Sequence, residues 1–227
     1  MAATTTTRKT TAKKAKADPT STLILLVRHG QTPTTGASLP GRAKGLHLAD
    51  AGRAQAEAAA VRIGALGAKV GAVYASPLER TRETAAPIAK ALGLRPTVER
   101  GLLECDFGDW TGAKLADLRK KPEWQTVQRY PSGFRFPGGE SFPEMQTRMA
   151  STLQRLGAAH RGGALVAVSH ADPIKAAVAH ALGTHLDLFQ RIVISPCSIT
   201  AILQTPGGPI VLAVNSTGDD LKALVPS

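Results

Sequence analysis

Long apolar runs are missing from this chain. Nothing in its 227 residues approaches the roughly 18 consecutive apolar residues of a membrane-spanning helix, so no membrane partner is expected. Cysteine is scarce as well. Cys105 and Cys197 stand far apart and make neither a disulfide framework nor a metal-ligand pattern, which points to a reducing cytoplasm. His47, His160, His180 and His185 show no ligand spacing such as HExxH, so no metal is expected. Acidic side chains are in short supply: 17 Asp and Glu face 28 Lys and Arg, a net charge of +11. Residues 1–22 carry +4 of that (Arg8, Lys9, Lys13, Lys14 and Lys16 against Asp18), which leaves +7 on the body. A basic body attracts anions, and phosphorylated metabolites and nucleic acids both qualify. Aromatic residues make up 4% of the chain and do not interleave with a basic surface, so nucleic acid is not an expected partner beyond salt-sensitive contact by the tail.

What is present divides the chain. The opening MAATTTTRKTTAKKAKADPT is of low complexity and nearly free of large apolar residues, too little to offset the entropy of ordering. A disordered basic tail is expected over 1–21, a folded domain over 22–215 and a short tail over 216–227. The first of these lacks the apolar core of a secretory signal, although its Arg/Lys-rich, acid-poor composition has a slight likeness to an organelle transit peptide. Apolar residues at 43% suffice for one substantial core.

Within the domain, β-rich runs alternate with Ala-rich helical ones. LILLV (23–27) reads as a strand buried on both faces, VGAVYAS (70–76) as a second and ALVAVS (164–169) as a third. Helices are expected over 49–66, 78–92 and 173–182, the latter two closed by Gly93 and Gly183. In the first of them Ala54, Ala58, Val61 and Ala65 share a face, and Asp50 is a cap candidate. Residues 191–204 and 209–215 suggest a closing hairpin around Pro206-Gly207-Gly208. The segment 105–145, rich in Pro, Gly and aromatics, reads as a loop-rich insertion. The fold class is therefore α/β, a three-layer α/β/α sandwich around a mostly parallel sheet.

Ligands in such sheets bind outside the carboxyl ends of the strands. Three strands here end in Arg28-His29, Ser76-Pro77 and Ser169-His170. Phosphoryl transfer needs a cage of cations, a nucleophile and an acid for the leaving oxygen. The residues available are Arg28 and His29, Arg80 and Arg82 at the head of a helix, Glu104 after RGLL, and His170. Neighbouring guanidinium groups would keep His29 neutral and nucleophilic. Asp106 and Asp109 compete with Glu104 for the acid, and Arg82 competes with Arg80 for the cage.

Six ordered stretches, LVRHGQT, GLHLADAGRAQA, VYASPLERTRETA, LLECDFGDWTG, PGGESF and VAVSHADPIKAAVAHALG, together resemble the histidine phosphatase superfamily, the phosphoglycerate mutase-like proteins. The likeness spans about residues 22–204 and is nearest to a subfamily called phosphomutase with no established substrate. It implies that His29 attacks phosphorus to form a phosphohistidine, and that Arg28, Arg80 and His170 bind the phosphoryl oxygens. It implies that Glu104 acts as acid and then base, with no cofactor. The chain departs from the family at two places. Thr35 stands where many members have Asn, and Ala171-Asp172 replaces a glycine-led pair. Asp172 before Pro173 reads as a helix N-cap, or else as a contact to a substrate hydroxyl or amine.

The expected substrate is a small phosphorylated metabolite. Gln31, Thr35, Asp172 and Arg135 are candidates for binding it, with Arg135 placed to meet a second acidic group. Trp124, Phe134 and Phe136 would form either a specificity wall or a small core beneath the insertion. Glycolytic mutases of this family carry a long insertion before the second histidine, whereas 65 residues lie between Glu104 and His170 here. Hydrolysis of a phosphate ester is the expectation. A phosphomutase and a non-catalytic phospholigand-binding protein are the alternatives, and the oligomeric state is left open, a homodimer included.

Overall fold

The computed structural model describes residues 20–218, so the expected tails lie almost entirely outside the described residues. The elements run in the order β1 (Thr22–Arg28), α1 (Asp50–Gly64), β2 (Val70–Ala75), α2 (Glu79–Ala91), β3 (Pro96–Val98), α3 (Leu115–Leu118), α4 (Pro122–Arg129), α5 (Phe142–Ala159), β4 (Ala164–Ser169), α6 (Ala171–Leu182), β5 (Ile199–Thr205) and β6 (Gly208–Ser216). They build one six-stranded sheet in the order β3-β2-β4-β1-β5-β6. The β1, β2, β3 and β4 strands are parallel, and the antiparallel hairpin β5–β6 completes one edge.

The unbroken LILLV of β1 has a direct cause. Leu25 and Val27 face Ala60 and Ile63 of α1 and Ala85 and Ile88 of α2. Ile24 and Leu26 face Met149 and Leu153 of α5 and Ile174 of α6. A strand roofed on both sides needs apolar residues at every position, and the result is the expected three-layer sandwich. A third cluster lies under residues 105–145, where Phe107, Trp110, Phe134, Phe136, Phe142 and Phe189 meet edge to face or tilted. Phe134 and Phe136 are core residues here, with Trp124 packed against them.

Several expectations need correction. Ala54, Ala58, Val61 and Ala65 do share a face of α1, and it is the solvent face; Gly52, Ala56, Ala59, Ala60 and Ile63 are the buried set. Asp50 does not cap α1: Ala49 is the extended N-cap residue, and Asp50 opens the helix and pairs with Arg53. Nor does Asp172 cap α6. That helix begins at Ala171, because a single extended residue, His170, joins β4 to it. The strand expected from 191 starts at Ile199; the residues before it cross the carboxyl edge of the sheet as a turn and loop. The short edge strand β3 and the 18-residue α5 are additions. A capping box starts α5, with Ser141 and Glu144 each accepting from the other's backbone N–H. Within the 105–145 segment, α3 and α4 replace part of the expected loop.

The turn after β1 lies directly on the first turn of α1. A Cβ added at Gly52 would fall 2.0 Å from the Gln31 carbonyl oxygen, and one at Gly30 would fall 2.4 Å from the Gly52 oxygen. With a hydrogen bond from Ala49 N–H to the Gln31 carbonyl at 2.9 Å, this contact fixes where the chain goes after His29.

Candidate active site

The carboxyl edge of the parallel strands collects the predicted groups. Arg28 ends β1 opposite Ser169, the last residue of β4. Its Nη1 donates to the Ile194 carbonyl at 2.6 Å, which ties it to the loop crossing the sheet edge. His29 follows, its N–H bonded to the Ser169 carbonyl at 3.0 Å. His170 holds the equivalent place after β4, and the two imidazole rings meet edge to face with centroids 5.3 Å apart. Arg80 reaches in from the first turn of α2 and is fully buried, with Nη2 donating to the Gly41 carbonyl at 2.7 Å.

Four buried nitrogens in this cluster have no protein partner: the guanidinium donors Arg28 Nε, Arg80 Nε and Arg80 Nη1, and the ring nitrogen His170 Nδ1. Leaving such groups unmatched costs about 1–3 kcal/mol each. Their concentration at one strand edge, two of the side chains being guanidiniums, describes a receptor for a multivalent oxyanion.

Electrostatics prepare the imidazoles. His29 Nδ1 lies 2.7 Å from the Gly30 carbonyl. A carbonyl only accepts, so Nδ1 carries the proton and Nε2 keeps its lone pair. Burial, followed by the charges of Arg80 and Arg28, lowers the His29 pKa to about 3. Burial, Arg80 and His29 likewise hold His170 well below its usual value. His170 Nε2 meets the Ser76 hydroxyl at 2.9 Å, which leaves Nδ1 as its free nitrogen.

Glu104 lines the adjoining cavity of about 370 Å³. Its pKa is pushed up to about 7 by burial and the nearby charge of Asp172, against the opposing pull of the Cys105 N–H and the two arginines. Asp106 is bound by Arg42, and Asp109 is exposed. Arg82 is exposed too, so of the two helix-head arginines Arg80 is the one at the cage. The Glu104 main chain is clamped. Its carbonyl accepts from Arg42 Nε at 2.9 Å and Arg148 Nη2 at 3.4 Å, and Glu140 bonds both guanidiniums.

The other predicted binders separate into two groups. Thr35 and Asp172 line the cavity; Gln31 and Arg135 are not among its lining residues. The Thr35 hydroxyl accepts from Thr32 N–H at 2.9 Å and so folds its own turn. Arg135 is held at the surface by Glu144 and the Gly139 carbonyl. Lys175 and Gln190 also line the cavity and escaped the sequence reading, although Lys175 stands three residues after Asp172 and pairs with it. Among the described residues there is no cluster of three or more His, Cys, Asp or Glu able to hold a metal, and no helix long and apolar enough to cross a membrane. Both thiols are buried, and their pKa values are raised by that burial.

Comparison with known proteins identifies the family. The family model of the histidine phosphatase superfamily (branch 1) matches residues 24–217, and the chain belongs to that superfamily, whose members are metal-independent phosphatases and phosphomutases. It is 33% identical over 207 residues to the bifunctional protein Rv2228c of Mycobacterium tuberculosis, covering 88% of this chain and 55% of that one. The chain thus spans about half the length of the first curated relatives it matches. It is 30% identical over 199 residues to phosphoserine phosphatase 1 of Hydrogenobacter thermophilus, covering 86% and 92% of the two chains. Among solved structures, the mycobacterial glucosyl-3-phosphoglycerate phosphatase Rv2419c superposes with a TM-score of 0.76 at 25% identity, over 86% of this chain and 99% of that one.

Proposed function

We propose that the protein hydrolyses a small phosphate monoester through a phosphohistidine at His29. The observation that carries this reading is the His29–Gly30 hydrogen bond, which leaves Nε2 unprotonated beside two arginines with free, buried donor atoms. The phosphoryl oxygens take the donors of Arg28, Arg80 and His170. As Nε2 bonds to phosphorus, the phosphorus–oxygen ester bond breaks and Glu104 gives its proton to the departing alkoxide. Glu104, now a carboxylate, takes a proton from water as that water attacks the phosphohistidine. Inorganic phosphate leaves, and both side chains return to their starting protonation. Placement of the developing charge among fixed guanidiniums supplies the main acceleration.

Val193, 65% exposed, lines the mouth of the cavity, which gives water access and favours hydrolysis over transfer back to substrate. The phosphomutase alternative differs in its product, so a screen of phosphorylated metabolites read for both free phosphate and isomerised ester separates the two. The buried free thiols suit a cytoplasmic setting. The direct test is a quench experiment with p-nitrophenyl phosphate. Wild-type protein should yield an acid-labile phosphoprotein, and His29→Ala should yield none while keeping its fold by circular dichroism. A folded His29→Ala protein that still releases p-nitrophenol at the wild-type rate would refute the assignment.

A further inference from the structure

Beyond the phosphoryl cage, the cavity wall is built from α6 and the turn that follows it. Lys175 Nζ donates to Asp172 Oδ1 and to Gln190 Oε1, each at 3.1 Å. The Asp172 and Lys175 side chains are 16% and 17% exposed, so the pair is held mostly out of water. Lys175 is further seated over the ring of Phe189, 5.8 Å from its centroid. An ammonium has three protons, and two are committed here. The second Asp172 oxygen takes no protein hydrogen bond among the described residues. The wall therefore offers one donor and one acceptor to a substrate, with its charges already balanced.

The charges of the cavity point the same way. Arg28 and Lys175 are the cations among its described lining residues, and Glu104 and Asp172 are its two carboxyl groups. Arg28, with Arg80 beneath it, faces the phosphoryl group. Lys175 is neutralised by Asp172. A second anionic group on the substrate would meet two carboxyl side chains and no uncommitted cation. Behind the wall lies an adjoining space of about 220 Å³, which shares Asp172, Lys175 and Gln190 and is otherwise lined largely by Leu39, Phe107, Leu115, Trp124 and Val127. It adds no cation beyond Lys175.

We propose that Asp172, Lys175 and Gln190 form a selecting wall that accepts phosphate monoesters of uncharged, hydroxylated alcohols and discriminates against esters carrying a second anionic group. A substrate hydroxyl near the ester oxygen donates to the free Asp172 oxygen and accepts the remaining Lys175 proton. The inference rests on the phosphoryl-transfer reading above and narrows its substrate class.

Glycerol 3-phosphate and 3-phosphoglycerate make a matched pair, since they differ by a hydroxymethyl group against a carboxylate. Both are measured as competitors of p-nitrophenyl phosphate hydrolysis by the full chain, so the comparison holds whether or not either is itself turned over. Wild-type protein should bind glycerol 3-phosphate at least tenfold more tightly. Asp172→Asn frees the Lys175 charge and should shrink that preference at least tenfold or invert it; Lys175→Met should widen it. The preference is a ratio within each variant, and a thermal melt confirms that each is folded. Equal or reversed affinities in the wild type, or a ratio that Asp172→Asn leaves in place, overturn the selecting wall while the phosphohistidine chemistry stands. A wild-type protein that neither hydrolyses p-nitrophenyl phosphate nor forms a phosphoenzyme with it refutes the chemistry and the wall together.

Discussion

Glu104→Gln is expected to slow the proposed hydrolysis and, at neutral and higher pH, to make the protein harder to unfold. The carboxyl is buried, and in the folded protein it holds its proton up to about pH 7 against an ordinary value of 4.5. Below the unfolded value, both states carry the proton and the site favours neither. As the pH rises from there, the unfolded chain ionises while the folded chain does not, and stability falls until the folded carboxyl ionises as well. Converted at 1.36 kcal/mol per unit, the penalty reaches at most about 3 kcal/mol by pH 8. Gln carries no such penalty and keeps an oxygen for the Cys105 N–H that now bonds Glu104 Oε1 at 3.0 Å. Urea melts of the two proteins should therefore run close together near pH 4.5 and separate by pH 8, with the variant the more stable. The kinetic half is opposite in sign. With an alkyl phosphate, whose alkoxide needs a proton, kcat/KM should drop by about 10²–10⁴, or ~3–5 kcal/mol of barrier. With p-nitrophenyl phosphate, whose phenolate departs unaided, the loss should be far smaller. A stability gap that does not change with pH, or equal losses for both esters, would remove Glu104 from the role of proton donor.

Four further expectations follow from the same geometry. For an alkyl ester, kcat/KM should fall about tenfold per unit above pH 7 as Glu104 ionises; a profile flat to pH 9 contradicts this. His29, with its pKa lowered to about 3, should impose no loss near the ordinary histidine value. Glu140→Ala leaves Arg42 and Arg148 without their shared carboxylate, 14% exposed in the fold, and should cost about 2–4 kcal/mol in a denaturant titration as well as activity; an unmoved midpoint would show that the clamp is dispensable. Ser76→Ala deprives His170 Nε2 of its partner and should lower kcat about tenfold with little change in KM. A change confined to KM would count against that positioning role.

The parts of the molecule that the sequence made legible share a physical cause. Strands β1 and β4 are covered on both faces, so their apolar runs are continuous and their ends stand out; Arg28, His29 and His170 are visible for that reason. Where small residues dominate, the signal is degenerate. Alanines lie on every side of α1, and the buried side is chosen by close approach to α2 and to the turn after β1, not by hydrophobicity. The α5 helix begins within a stretch dense in Pro and Gly, and the Ser141–Glu144 spacing that starts it went unread in the sequence. Asp172 misled because the β4–α6 joint is a single residue long, a length that no local composition reveals. Arg42, Glu140 and Arg148 come from three separate segments, and no spacing in the chain announces their meeting at the Glu104 carbonyl.

The contact between Gly30 and Gly52 bears on which variants of this protein can exist. A side chain at either position would strike main-chain atoms of the opposing segment, not another side chain. Trimming a neighbour cannot relieve a collision with a peptide group, so no compensating substitution nearby restores the fit. The two positions are closed to drift singly and jointly. A mutational library built on this scaffold should return glycine at both, even where selection asks for nothing more than a folded chain.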